Sequence, residues 1–305
     1  MTCPTPVFAR SLGVNPETGK QIISFKGSTH PSLALPCGKC PVCLANRQKF
    51  WRRRMSLELF ERGEGSFLTL TYNDEHCDGL LHKDDVQKFL KRLRHIDRDF
   101  KVECPKFTYY CAAEYGTTTK RPHYHLALFG LNLLEMQYLP RAVGYDNGYP
   151  IFSSEIIEQV WPFGFNTVGE LNAATIGYVS KYLTKPSKSE FSLKSHSLGV
   201  APFVDVTRVG RQVIYSPKSL LLDSFRRGSI VLPDSSGGFS SVGLPRNLQS
   251  YLKRLYPQEF EAFKARARDW VSTHKISVSE LSSALALGER IKADNYQKTK
   301  RRTSV

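Results

Sequence analysis

No apolar run in this chain is long enough to be read as a transmembrane helix. Its start, Met1-Thr2-Cys3-Pro4-Thr5-Pro6, lacks the charged-then-apolar layout of a secretory signal. An intracellular protein is therefore expected. The cysteines number seven, an odd count without a secretion signal, so reduced thiols or a metal site are expected rather than disulfides. Acidic residues are in short supply: 28 Asp and Glu stand against 43 Lys and Arg, a formal net charge of +15. That excess suggests a polyanionic partner, and nucleic acid is the commonest. An acidic membrane surface is the competing reading, but no amphipathic anchor favours it. The 305 residues are enough for one large domain or two modest ones.

What is present centres on Arg121-Pro122-His123-Tyr124-His125-Leu126-Ala127-Leu128-Phe129-Gly130. Proline opens this stretch, glycine closes it, and its interior is aromatic and aliphatic, which predicts a strand. Side chains alternate across a strand, so His123 and His125 share a face and could grip one metal ion through neutral ring nitrogens. An ordinary strand bearing two satisfied histidines has the same pattern. Glu114 ends a preceding aromatic-rich strand over residues 106–114. The short loop 115–120 predicts an antiparallel hairpin that sets Glu114 beside the histidine face. Two imidazoles and a carboxylate leave open positions and suit Mn²⁺ or Mg²⁺, with Zn²⁺ not excluded.

Residues 172–185 predict a helix stopped by Pro186. At about 100° per residue, Ile176, Val179 and Leu183 fall on one side, and Tyr178, Lys181, Tyr182 and Lys185 on the other. Two surface tyrosines beside solvated lysines would look alike. A phenol is a weak nucleophile, with a reference pKa of about 10. To attack a phosphodiester it needs a cation on the phosphate and neighbouring positive charge, and this chain carries residues for both.

Elsewhere, Cys37-Gly38-Lys39-Cys40-Pro41-Val42-Cys43 overlaps two CxxC units. With Cys3, or with His30, it could complete a tetrahedral zinc site. The helix expected over residues 44–60 is crowded with Arg47, Lys49, Arg52, Arg53 and Arg54 beside an apolar stripe, and could face phosphates. A strand over 67–72, a helix over 80–96, a short helix near 154–160 and a strand near 165–168 complete a β-α-β-β-α-β-α order. That order predicts an α+β, ferredoxin-like (split βαβ) plan with a central antiparallel sheet. Residues 1–36 read as loop-rich. Residues 187–247 read as irregular, with strands at 204–206 and 212–215, and 248–268 as a C-terminal helix before a basic, disordered tail at 298–302. The expected organisation is thus 1–62, 63–186, 187–247 and 248–305.

Taken together, Pro36 to Cys40, Phe67 to Tyr72, Glu114-Tyr115-Gly116, Arg121 to His125, Trp161-Pro162-Phe163-Gly164 and Tyr178-Val179-Ser180-Lys181-Tyr182 resemble the HUH endonuclease superfamily of rolling-circle initiators. The likeness is strongest to the replication initiators of gokushovirus-type microviruses. It implies an HUH domain whose Mn²⁺ or Mg²⁺ is held by His123, His125 and Glu114. Tyr178 and Tyr182 would then be alternating nucleophiles that form a 5′-phosphotyrosine, assisted by Lys181 and Lys185. Thr69, Thr71 and Arg121 would lie near the DNA, with Arg52, Arg53 and Arg54 as further contacts. It also implies a single-stranded origin as partner, a host helicase and polymerase beside it, and the bacterial cytoplasm as location. Two other readings share these residues: a non-catalytic binder stacking bases on Tyr109, Tyr110, Tyr124 and Phe129, and a phosphodiesterase that uses water.

Overall fold

A computed structural model describes residues 3–15, 21–26, 33–96, 106–116, 118–135, 141–146, 148–182, 190–195, 197–200, 204–209, 212–217, 219–233, 239–244 and 246–273. The chain divides into two compact units, Met1–Arg47 with Ala267–Val305, and Gln48–Arg266. His30, Leu183, Lys185 and the 298–302 tail lie outside the described residues.

In the first unit β1 (Val7–Val14) pairs antiparallel with β2 (Gln21–Ser24) and β3 (Leu33–Leu35). The loop-rich expectation for residues 1–36 is corrected here. Short strands separated by proline- and glycine-bearing sequence carry too few alternations to be read as a period. The helix α1 (Pro41–Arg62) begins in this unit and continues into the second.

The second unit is built on β4 (Gly65–Tyr72), α2 (Lys83–Leu93), β5 (Thr108–Tyr115), β6 (Pro122–Phe129), β7 (Arg141–Asp146), β8 (Tyr149–Ser153), α3 (Glu155–Val160), β9 (Gly164–Glu170), α4 (Ala173–Lys181) and β10 (Phe191–Lys194). Seven of these form one antiparallel sheet in the order β10-β5-β6-β4-β9-β8-β7. The expected mixed α+β architecture with a central antiparallel sheet is present. The β7–β8 hairpin was not anticipated, because an irregularity between Ala142 and Gly144 breaks its alternation.

One sheet face is covered by α2 and α3. Val86, Phe89, Leu90 and Leu93 of α2 recur at helical spacing and pack with Leu68, Leu70, Tyr124, Leu126, Leu128, Ile156, Ile157 and Trp161. Burial of each such side chain contributes about 1.5–3 kcal/mol. The other face is covered only in part. Trp51 and Met55 of α1 and Ile176 and Val179 of α4 pack against Tyr110, Ala112, Ala127 and Phe129. The uncovered remainder of that face carries the candidate site.

The irregular reading of 187–247 is also corrected. Beyond β10, the described part holds the hairpins β11 (Val204–Val209) with β12 (Gln212–Pro217) and β13 (Ser229–Pro233) with β14 (Phe239–Gly243), and between them α5 (Ser219–Arg227). The expected C-terminal helix is two, α6 (Arg246–Leu255) and α7 (Pro257–Thr273). Pro257, lacking an N–H, is suited to a first helical position. Phe225, Ile230, Leu248 and Leu252 form a third core with Leu57 of α1. Among the described residues no helix is long and apolar enough to cross a membrane.

Candidate active site

Strand β6 lies between β5 and β4, and the antiparallel register lines residues up in rows. One row runs Glu114–His123–Thr71–Phe165 across β5, β6, β4 and β9. The next runs Ala112–His125–Thr69–Thr167. Both histidines thus meet threonine hydroxyls on β4: Thr69 Oγ1 is 3.0 Å from His125 Nδ1, and Thr71 Oγ1 is 2.9 Å from His123 Nδ1. Each ring is fixed through Nδ1, leaving Nε2 for the cleft. Sequence reasoning set these threonines near DNA and missed their hold on the imidazoles. The signal available was their period-two spacing, matched to that of the histidines.

Glu114 is buried, and its Oε1 lies 2.9 Å from His125 Nε2. His123 stands beside this pair with its ring centroid 6.3 Å from that of His125. Burial, and next the charge of His125, hold the His123 pKa below the ordinary imidazole value, which keeps the ring neutral. Gly116 is a residue the sequence reading did not single out. A Cβ there would stand 2.7 Å from His123 Nε2, so any other residue would crowd that nitrogen.

The tyrosines arrive on α4. Asn172 caps it, its side chain accepting from the N–H groups of Ala174 and Thr175 at 3.0 and 3.1 Å, while the Thr175 hydroxyl accepts from Asn172 N. Ile176 and Val179 are buried and fix the rotation of the helix. Tyr178 and Tyr182 then fall against His125, with ring centroids 5.3 and 5.0 Å away, and 5.3 Å from each other. They are not equivalent. Tyr178 is 41% exposed. Tyr182 is half-buried and stacked flat on His125. Burial, with hydrogen bonds to Tyr178 and Glu114, pushes its pKa above the ordinary phenol range. Lys181 is exposed.

These side chains line a cavity of about 600 Å³ bounded by Thr69, Thr71, Glu114, Gly116, His123, His125, Thr167, Tyr178, Lys181 and Tyr182. A second cavity of about 980 Å³ shares Thr69, His125, Thr167, Tyr178 and Lys181 with it and extends toward β8. Thus His123, His125, Glu114, Tyr178, Tyr182, Lys181, Thr69 and Thr71 come together.

The arginines separate. Arg52 is exposed and its guanidinium approaches Gly177 of α4, while Arg53 is half-buried. Arg54 is corrected as a DNA contact: it is buried, its Nε donates to Leu198 O at 2.8 Å, and its guanidinium covers Trp51. It follows Trp51 by three positions and so shares the apolar side of the helix. Arg121 is committed internally, donating to Tyr72 O at 2.7 Å and pairing with Asp74. The stacking platform envisaged for a non-catalytic binder is overturned as well, because Tyr110, Tyr124 and Phe129 are fully buried.

In the first unit Cys3, Cys37, Cys40 and Cys43 gather with all four Sγ atoms within 4.8 Å of one another, a group that could hold a metal ion. Among the described residues it is the compact metal-competent group; the His–Glu set is more open. Cys3 and Cys40 Sγ are 3.7 Å apart, and Cys37 and Cys43 Sγ 4.0 Å. Backbone N–H groups of Cys37, Cys40 and Cys43 donate to Cys3, Cys37 and Cys40 sulfurs. The Thr5 hydroxyl, then backbone donors, lower the Cys37 pKa to about 5, and burial raises that of Cys43 to about 12.

Residues 65–187 match a family of replication-associated proteins of the ORF2 type. The chain is 32% identical over 163 residues to the replication-associated protein ORF2 of Spiroplasma virus 4. It is 28% identical over 278 residues to replication-associated protein VP4 of Bdellovibrio phage phiMH2K, and 27% over 246 residues to replication-associated protein ORF4 of Chlamydia phage 1. This chain is a relative of the microvirus replication-associated proteins. The three alignments take in 50%, 88% and 75% of it. They span about half of the Spiroplasma virus 4 and Chlamydia phage 1 relatives, 48% and 56%, and 82% of the Bdellovibrio phage protein. The matched segment holds Glu114, both histidines and both tyrosines, and leaves the cysteine quartet outside. No solved structure matches.

Proposed function

We propose that this chain initiates rolling-circle replication by nicking and rejoining single-stranded DNA at an origin, as an HUH endonuclease. The observation that carries the reading is the packing of Tyr178 and Tyr182 on His125, beside Glu114 and His123, in one cavity. The replication-associated relatives and the net charge of +15 support a DNA substrate. The adjacency β5-β6-β4-β9, with α2 and α3 on one face, supports the ferredoxin-like plan.

The donor set of two imidazoles and a carboxylate fits Mn²⁺ or Mg²⁺. His123 and His125 are neutral-ring donors held at Nδ1 by threonines, and Glu114 is an acceptor already aimed at His125. Bound there, such an ion polarises the scissile phosphate and offsets its developing charge. The tyrosine Oη attacks phosphorus, the P–O3′ bond breaks, and the phenol proton is lost as the 3′ oxygen gains one. The product is a 5′-phosphotyrosine and a free 3′-hydroxyl, reversible because one phosphoester replaces another. Lys181 adds positive charge at the cavity rim. Tyrosines four apart on one helix reach the same phosphate, which suits a second attack that closes the displaced circle. The cysteine quartet serves a structural role with Zn²⁺. Its 3.7 and 4.0 Å sulfur separations approach the roughly 3.8 Å edge of a thiolate tetrahedron with Zn–S near 2.3 Å.

Incubation with labelled single-stranded origin DNA and Mn²⁺, followed by a denaturing gel, tests the reading. A protein–DNA adduct lost on Tyr178→Phe with Tyr182→Phe is expected. Cleavage that survives both changes would replace the tyrosines with water as nucleophile.

A further inference from the structure

The row that carries Glu114 and His123 continues past Thr71 to Phe165. Phe165 is 64% exposed, whereas its strand neighbours Asn166 and Val168 are buried. By alternation it shares the open face with Thr167, which lines both cavities. A lone exposed phenylalanine is common on protein surfaces. This one differs in its position and in how firmly its backbone is held. Neighbouring strands lie about 4.8 Å apart, so its backbone stands roughly 10 Å from that of His123, on the same row.

The turn before it is locked. Phe163 O accepts from Asn73 N at 2.9 Å, and Trp161 Nε1 donates to Thr71 O at 3.3 Å. Gly164 has φ +155° and is packed so closely that a Cβ would strike Asn73 N and Thr71 O. An exposed apolar ring on a rigid, fully paired strand is what base stacking requires, since little ordering entropy is lost on binding.

We infer that Phe165 is a stacking platform for one nucleobase of single-stranded DNA, held within a few nucleotides of the phosphate at His123 and His125. This rests on the function proposed above for the choice of DNA as occupant. It also accounts for a binding surface after burial removes Tyr110, Tyr124 and Phe129 from that role. Stacking tolerates any base, so the platform supplies grip and register rather than sequence choice.

The test uses the full chain carrying Tyr178→Phe and Tyr182→Phe, so that DNA is bound and not cut, and a fluorescein-labelled oligothymidylate as probe. On that background Phe165→Ala is expected to weaken binding by about five- to a hundredfold, the range for losing one stacked base. Phe165→Trp is expected to keep the affinity and to add tryptophan fluorescence that the oligonucleotide quenches. Equal affinity of the alanine variant, or an added tryptophan signal that DNA leaves unchanged, overturns the platform. A sedimentation change in the alanine variant with binding intact overturns it too, by assigning the ring to contact with a second copy. Failure of the tyrosine chemistry reads out separately, as a missing adduct in the unaltered chain while Phe165-dependent binding persists.

Discussion

The cysteine quartet and the histidine–tyrosine cleft are both clusters of ligand-type side chains, and they are built in opposite ways. In the quartet the sulfurs face one another, and backbone N–H groups supply much of the surrounding polarity. In the cleft, the imidazoles are held from behind by Thr69 and Thr71, while their other nitrogens, a carboxylate and two phenols face a cavity of about 600 Å³. A closed tetrahedral set saturates an ion and stabilises a fold, whereas an open set leaves positions for substrate. The lesson is that residue type alone does not separate structure from chemistry; the direction in which the donors point does.

That contrast breaks most decisively at the tyrosines. Tyr178→Phe with Tyr182→Phe should reduce adduct formation by at least about 10⁴-fold, since no other nucleophile is positioned there. Unfolding free energy should move by only about 1–2 kcal/mol, the scale of the lost Tyr182 hydrogen bonds. Denaturing gels and urea titration measure the two effects. Cys40→Ser should do the reverse. It should release the ion, seen by elemental analysis, and destabilise the chain by about 3 kcal/mol or more, while protein that stays folded still forms adduct.

A smaller effect is expected at Gly116. Gly116→Ala places a methyl against His123 Nε2 and should lower Mn²⁺-dependent nicking by about 10²-fold through misplacement, with stability nearly unchanged. The smallest effect concerns pH. The folded His123 pKa lies below its unfolded value of about 6.5, so the unfolded chain binds more protons on acidification. Stability should therefore fall as pH drops through about 6.5 toward the folded value. His123→Gln should flatten that slope in unfolding curves recorded without added metal.

Much of the cleft was legible because its determinants are local. A period of two put His123 and His125 on one face, and the short hairpin loop set Glu114 opposite His123, as the register has it. A helical wheel separated Tyr178 from Ile176 and Val179. What stayed hidden depends on pairing between distant segments. Nothing local to Phe165 says that β9 will pair with β4 beside Thr71, far away in the chain. The burial of Arg54 was readable from Trp51 three positions earlier, but the run of basic residues masked it. The Ser219–Arg227 helix was missed because serine, glycine and proline around it dominated the composition of that region.

The central claim is that a phenol on α4 becomes bonded to DNA. Digesting the adduct with trypsin and sequencing the nucleotide-bearing peptide by mass spectrometry tests this directly. The account predicts a 5′-phosphate ester on Tyr178 or Tyr182. A modified residue anywhere else, or nicked DNA with no peptide attached, would contradict it.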